Sequence, residues 1–225
     1  MRKMFITAVG TGIGKTLVTT MLCHQMTLAG QKVRALKPLV SGFSPDDLSS
    51  DPALIIRSLG RKPTPRAIAA IAPWRFAAPL SPHRAALQEG RTVEIDDIVS
   101  FCRRHEAGND GVLVVEGAGG VMAPITPAHT GLDLMARLGY PAILVTGSYL
   151  GAISHSLTAI AALRGRGVVL QAIIVSESVE SVGLSDTVDS LCQFSGVDVA
   201  VSALRRVAGN DEEKWRRAPE FIDPW

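Results

Sequence analysis

Long apolar runs are missing from this sequence. None approaches the ~18 uninterrupted residues of a membrane-spanning helix, so no span is expected even though 47% of the residues are hydrophobic. Cysteine is scarce: Cys23, Cys102 and Cys192 are odd in number, far apart and without C-x-x-C spacing. That pattern indicates neither a disulfide framework nor a zinc site, and it fits a reducing cytoplasm. Excess charge is lacking too. The formal net charge is +2, and the densest basic cluster, "RGR" at Arg164 to Arg166, is short and split by glycine, so nucleic acid is not indicated as a partner. The five histidines form no H-E-x-x-H, and no G-x-S-x-G occurs, which leaves zinc hydrolysis and a nucleophile elbow unsupported. His83 in "SPH" and His155 in "ISH" read as packing or helix-end residues. The opening "MRKMFITAVG" is basic at its start but carries too short an apolar run for a secretory signal. A cytoplasmic protein is the expectation.

What is present is an alternation. Short β-rich apolar runs are followed by longer helix-like segments: "MFITAV" then residues 15–29, "KVRAL", "GVLVVE", "AILVTG" then 151–164, and "VVLQAIIVS" then 184–194. Runs of four to eight residues bounded by glycine or proline, alternating with helices, predict an α/β fold with a doubly wound, mostly parallel sheet. With 225 residues, one domain over 1–225 is expected, its tail after about 207 partly frayed. Residues 41–82 hold most of the prolines and read as an irregular, functional connection.

Ligands of such sheets sit beyond the carboxyl ends of the strands, which is where the chemistry-bearing residues fall. "TAVGTGIGKT" follows the first strand and ends in Gly-Lys-Thr, although Val9 stands where the strict pattern G-x-x-x-x-G-K-[ST] has its first glycine. Glycines between a strand and a helix let backbone N–H groups wrap an anion at the helix N-terminus. Lys15 would reach the β- and γ-phosphates, and the Thr16 hydroxyl would bind Mg²⁺. A Rossmann dinucleotide site fits less well, because the spacing is G-T-G-I-G and the second strand offers Arg34 and Lys37 where an acidic residue is wanted. Lys37 precedes Pro38 at the end of a strand, beside the phosphate loop if the two strands are neighbours, where a second lysine could stabilise charge in phosphoryl transfer. Taken alone it reads more readily as a solvated strand-end lysine. Glu116 ends "VLVV" and opens "GAGG", a position that suits a Mg²⁺ ligand or, alternatively, a structural carboxylate. Asp51 in "SSDP" reads as a metal ligand or a helix N-cap.

The ordered set "GTGIGKT", "KPLVSG", "SSDPAL", "APLSPHRAA", "VVEGAGGVMAPI" and "LGAISHSLT" resembles the dethiobiotin synthetase family over about residues 4 to 177. The resemblance implies a P-loop NTPase-type fold and a cyclo-ligase that uses ATP and Mg²⁺ to join CO₂ to 7,8-diaminopelargonic acid in biotin biosynthesis. The implied reaction would proceed through a carbamate and a carbamic-phosphoric anhydride. It further implies that Gly12, Ile13, Gly14, Lys15, Thr16 and Leu17 hold the ATP phosphates. Thr16, Asp51 and Glu116 would hold the metal, with Lys37 and Lys15 catalytic. The turn Gly117, Ala118, Gly119 would border the nucleotide. Thr11, Ser41, Gly119 and Gly120 would contact the diamine. The far carboxylate of the diamine would meet Leu150, Gly151 and Ser154 of a partner in a homodimer whose active sites lie at the interface.

The chain departs from the family pattern in places. Ala8, Val9 and Gly10 replace the usual glycine, threonine and aspartate of the loop. The base-reading asparagine and aspartate of the family appear as Ser176 and Glu177, and the family's proline-containing base loop is not evident near 201–206. Relaxed nucleotide choice, or weak affinity, is the expectation. A partition-type regulatory ATPase would carry an additional lysine at the position of Gly10. A related amide-forming ATPase acting on a corrinoid usually carries a further amidotransferase domain.

Overall fold

The computed structural model describes residues 1–106, 110–196, 199–206, 209 and 215–216. Its elements run β1 (Arg2–Ala8), α1 (Lys15–Leu28), β2 (Val33–Leu36), β3 (Leu39–Ser41), α2 (Asp51–Ser58), α3 (Pro65–Ile71), β4 (Trp74–Phe76), α4 (Pro82–Gln88), α5 (Ile95–Arg104), β5 (Val112–Glu116), α6 (Gly131–Leu138), β6 (Ala142–Gly147), α7 (Ala152–Gly165), β7 (Leu170–Ser176), α8 (Leu184–Phe194) and β8 (Ala200–Leu204).

Each central strand divides its side chains between two cores because successive residues point to opposite faces of a sheet. Met4, Ile6 and Ala8 of β1, Val112 and Val114 of β5, and Ile143 and Val145 of β6 pack beneath α1 with Val18, Leu22 and Met26. Phe5, Leu113, Val115 and Leu144 face the opposite way and pack with Ile98 and Phe101 of α5, Met135 of α6 and Leu163 of α7. Burial on both faces is why these strands read as unbroken apolar runs rather than alternating ones.

The main sheet has the order β2-β5-β1-β6-β7-β8, and all its pairings are parallel. The chain steps from β1 to β2 and β5 on one side and to β6, β7 and β8 on the other. The crevice at the carboxyl end of β1 is therefore the switch point at which such sheets bind ligands. The condition set for Lys37 is not met as stated: β2 does not neighbour β1, because β5 pairs with both.

Residues 41–82 are more regular than expected. They contain α2 and α3, and β4 pairs in parallel with β3. Three of the seven prolines there, Pro52, Pro65 and Pro82, occupy the first turns of α2, α3 and α4, where a missing N–H costs no helical hydrogen bond. Most of the tail beyond 207 lies outside the described residues. Trp215 is described and buried in the core on the α1 side.

Candidate active site

The phosphate loop forms where β1 ends. Gly12 and Gly14 take φ of 73° and 110°, the left-handed region that side chains with a Cβ rarely adopt, and Gly14 stands as the cap before Lys15 opens α1. The lysine folds back on the loop, donating from Nζ to the Gly10 carbonyl at 3.0 Å. The turn after β5 leans on the same loop. Gly117 N–H donates to Ile6 and Val121 N–H to Ala8, and a Cβ on Gly120 would lie 3.0 Å from the Val9 carbonyl oxygen. This close approach accounts for the run of small residues in "EGAGG".

Beside the loop a cluster of four side chains closes. The Thr16 hydroxyl stands 2.8 Å from both Asp51 Oδ1 and Glu116 Oε1. Lys37 Nζ lies 2.5 Å from Glu116 Oε1 and 3.0 Å from Asp51 Oδ2, and it donates to the Gly117 carbonyl at 3.1 Å. Glu116 is fully buried and Lys37 nearly so, a placement tolerated only because the charges pair. Glu116 Oε2 is buried with no hydrogen-bond partner among the described residues.

These contacts set the charge states. Burial opposes the charge on Lys37, but Glu116 and Asp51 more than offset it and hold its pKa above the usual lysine value. Burial likewise works against the Asp51 carboxylate, yet Lys37 and the Thr16 hydroxyl keep its pKa below the ordinary aspartate range. Lys15 goes the other way: burial, and then repulsion from Lys37, bring it down to about 8. An anionic phosphate placed between the two lysines would favour the charged form of both.

The cluster opens into a cavity of about 720 Å³ reached by Thr11, Gly12, Lys15, Lys37, Ser41 and Gly119. Ser41 brings a buried hydroxyl oxygen with no partner among the described residues, a group free to meet a ligand. A second cavity of about 390 Å³ lies across the loop, where Ile13 meets Ser176 and Glu177. Asp51, whose N-cap reading remained open, is the first residue of α2 and turns its carboxylate to Thr16 and Lys37; Ser50 occupies the cap. Leu150, Gly151 and Ser154 do not line the larger cavity of their own chain. They stand at the start of α7, where Leu150 is 85% exposed. Gly120 acts by backbone packing and Gly117 through its carbonyl.

Some site residues escaped the sequence reading. The wall formed by Pro79, Leu80, Ser81 and Pro82 lies in the family-like stretch "APLSPHRAA", to which the sequence reading gave no role. Tyr149, Arg205 and Arg206 at the smaller cavity follow strands β6 and β8, the latter an edge strand that is mostly unburied and so lacks the unbroken apolar run of the others.

Comparison with known proteins bears on this geometry. A family model described as an AAA domain matches residues 2–207. An ATP-dependent dethiobiotin synthetase of Caulobacter vibrioides (strain NA1000 / CB15N) is 46% identical over 212 residues, covering 93% of this chain and 94% of that one. The enzyme of the same name from Methylobacterium nodulans is 42% identical over 206 residues, with 88% and 92% covered. Among solved structures, the MinC:MinD cell division protein complex of Aquifex aeolicus matches with a TM-score of 0.55 at 14% identity, over 96% of this chain and 86% of that one. The signal recognition particle receptor FtsY of Elizabethkingia anophelis matches at 0.51 and 15%, over 99% and 62%. Likeness at such identity is one of fold, and it agrees with the parallel sheet described above. The matched family model and the similarity over nearly the whole length of its curated relatives place this chain in the ATP-dependent dethiobiotin synthetase family.

Proposed function

We propose that this protein uses ATP to carboxylate 7,8-diaminopelargonic acid and close its cyclic urea, giving dethiobiotin in the biosynthesis of biotin. The observation that carries the reading is the convergence of Lys15, Thr16, Lys37, Asp51 and Glu116 at the mouth of one cavity, at the switch point of the sheet. In this reading one amine of the diamine takes up CO₂ as a carbamate. The carbamate attacks the γ-phosphorus to give a carbamic-phosphoric anhydride and ADP, and the second amine then displaces phosphate to close the ring. The protein's task is to gather anions and hold them in line, which suits two buried lysines more than an acid–base pair.

The roles we assign have this support in the geometry. Gly12 to Leu17 cradle the triphosphate, and Lys15, released from the Gly10 carbonyl, meets it. Lys37 stabilises the carbamate and the transferring phosphoryl group. Ser41, Thr11 and the turn at Gly119 and Gly120 receive the diamine. Thr16, Asp51 and Glu116 suit Mg²⁺: all are hard oxygen donors, two oxygens lie 2.8 Å from the Thr16 hydroxyl, and Glu116 Oε2 is buried without a partner among the described residues. When bound, the metal would neutralise phosphate charge. We place the enzyme in the cytoplasm, as one P-loop domain, and as a homodimer in which Leu150, Gly151 and Ser154 face the partner's cavity. Support for the dimer is that these residues lie outside the cavity of their own chain and that Leu150 is exposed; helix N-termini such as that of α7 suit carboxylates.

The deciding experiment is phosphate release with ATP, Mg²⁺ and bicarbonate, with and without the diamine, while dethiobiotin is followed by mass spectrometry. Diamine-dependent release with product formed is expected. Hydrolysis indifferent to the diamine would overturn the reading.

A further inference from the structure

The stretch "APLSPHRAA" walls the larger cavity through Leu80 and Ser81, and β3 fixes where that wall stands. Ser41 pairs with Phe76 of β4. The Gly42 N–H donates to the Ala78 carbonyl at 3.0 Å and the Phe43 N–H to the Phe76 carbonyl at 2.9 Å. The chain after β4 therefore runs beside Ser41 and delivers Ser81 to the cavity that Lys15, Lys37 and Ser41 also line.

Ser81 is the N-cap of α4, but its side chain does not cap. A capping serine accepts an N–H two or three residues on; here the Arg84 and Ala85 N–H groups both bond the Ser81 backbone carbonyl, each at 2.9 Å. The hydroxyl meets His83 Nδ1 instead, at 3.1 Å. With Nδ1 unprotonated, the ring accepts the Ser81 O–H and leaves the Oγ lone pairs to a donor in the cavity. A hydroxyl so paired with an imidazole can take up one proton as it passes on another. Among the described residues, the other ionisable groups that line the cavity are committed elsewhere. Lys37 is held charged by Glu116 and Asp51, Asp51 is paired with Lys37, and Lys15 stands on the phosphate loop, where a bound triphosphate favours its charged form.

We infer that Ser81 and His83 form the proton relay of ring closure. The inference deepens the proposed function and rests on it. The free amine of the diamine attacks the carbonyl carbon of the carbamic-phosphoric anhydride and forms the C–N bond. The C–O bond to phosphate breaks, and phosphate leaves with the bonding pair. The attacking nitrogen, positively charged as its new bond forms, gives a proton to Ser81 Oγ and keeps the N–H electron pair. The Ser81 O–H proton passes to His83 Nδ1, and the imidazolium then releases a proton to solvent. Ser81 is the catalytic residue of the pair, and His83 acts through it. The earlier step needs neither, because a carbamate is already an anion and attacks the γ-phosphorus without losing a proton.

The test is a single turnover of the whole protein with ATP, Mg²⁺, bicarbonate and the diamine, timing ADP and dethiobiotin separately. It is run on the unaltered chain, Ser81→Ala and His83→Asn. The asparagine carbonyl can still accept the Ser81 O–H but takes up no proton, so it preserves a structural role and removes a basic one. Dethiobiotin should keep pace with ADP in the unaltered protein. In both variants it should lag ADP by about 10²-fold or more, the scale of general-base catalysis. Both products come from the same molecules, so the lag is independent of how much of a variant is folded. A His83→Asn protein without the lag would reduce His83 to packing and overturn the inference, as would Ser81→Ala slowing ADP and dethiobiotin equally. No dethiobiotin from the unaltered protein would sink the proposed function and the relay with it. Dethiobiotin keeping pace with ADP in all three proteins would sink the relay alone.

Discussion

Lys37 is the residue on which most of the site's electrostatics turn. It is 3% exposed and neutralises two carboxylates that would otherwise repel across the Thr16 hydroxyl. Lys37→Ala is expected to lower turnover by roughly 10²–10³-fold, the ~3 to 4 kcal/mol of one lost charge-stabilising group; unchanged turnover in a phosphate-release assay would remove it from the mechanism. Loss of folding would be a different matter, since a buried pair broken on one side costs ~3–5 kcal/mol, so circular dichroism must accompany the kinetics. Glu116→Gln keeps the shape and removes the charge. Its activity should need a higher Mg²⁺ concentration for half-saturation, and an unaltered metal titration would assign the carboxylate to structure alone.

Elements are joined far from the site by a second charged group. Glu106, just past α5, receives Lys3 Nζ of β1 at 2.6 Å and the Tyr140 hydroxyl ahead of β6. Partial burial opposes its carboxylate, but Lys3 and Tyr140 bring its pKa below the usual glutamate value of 4.5. A depressed carboxylate contributes stability that is fully present above the unfolded value and is lost as pH falls through the folded one. Resistance of the native protein to urea should therefore fall below about pH 4.5, and Glu106→Gln should show a shallower acid limb. An identical acid limb in the variant would show that this junction contributes nothing. Trp215 performs an apolar version of the same task, joining the segment after β8 to the α1 core. Trp215→Ala should cost ~3–5 kcal/mol in a urea melt, and a loss within experimental error would mean that the core closes over without it.

At the scale of the whole molecule, the proposed homodimer would bring the start of α7, which does not line the larger cavity of its own chain, to the cavity of its partner. A particle of twice the 23.8 kDa chain mass is expected by light scattering. Mixing Lys37→Ala subunits with subunits altered at Gly151 should restore part of the activity that each lacks alone, because one interface site would then be intact. A monomeric, fully active enzyme would end the interface proposal.

Sequence alone determined the elements that obey local rules. The apolar runs named β1, β2, β5, β6 and β7, and the phosphate loop closing on Lys15 and Thr16, followed from periodicity and glycine placement, since strand and turn chemistry is local. Prolines in residues 41–82 misled, because a proline in the first turn of a helix looks the same in sequence as one in a loop. Only the tertiary structure decided where Asp51 and Lys37 turn their charges. Each had a bland reading as cap or surface lysine, and the choice depended on β5 lying between β1 and β2, which carries Glu116 to within hydrogen-bonding distance of both Lys37 and Thr16. Strand order is a long-range pairing that no local pattern encodes. The same order placed Ser176 and Glu177 across the phosphate loop from Lys37, dividing one ligand crevice into two.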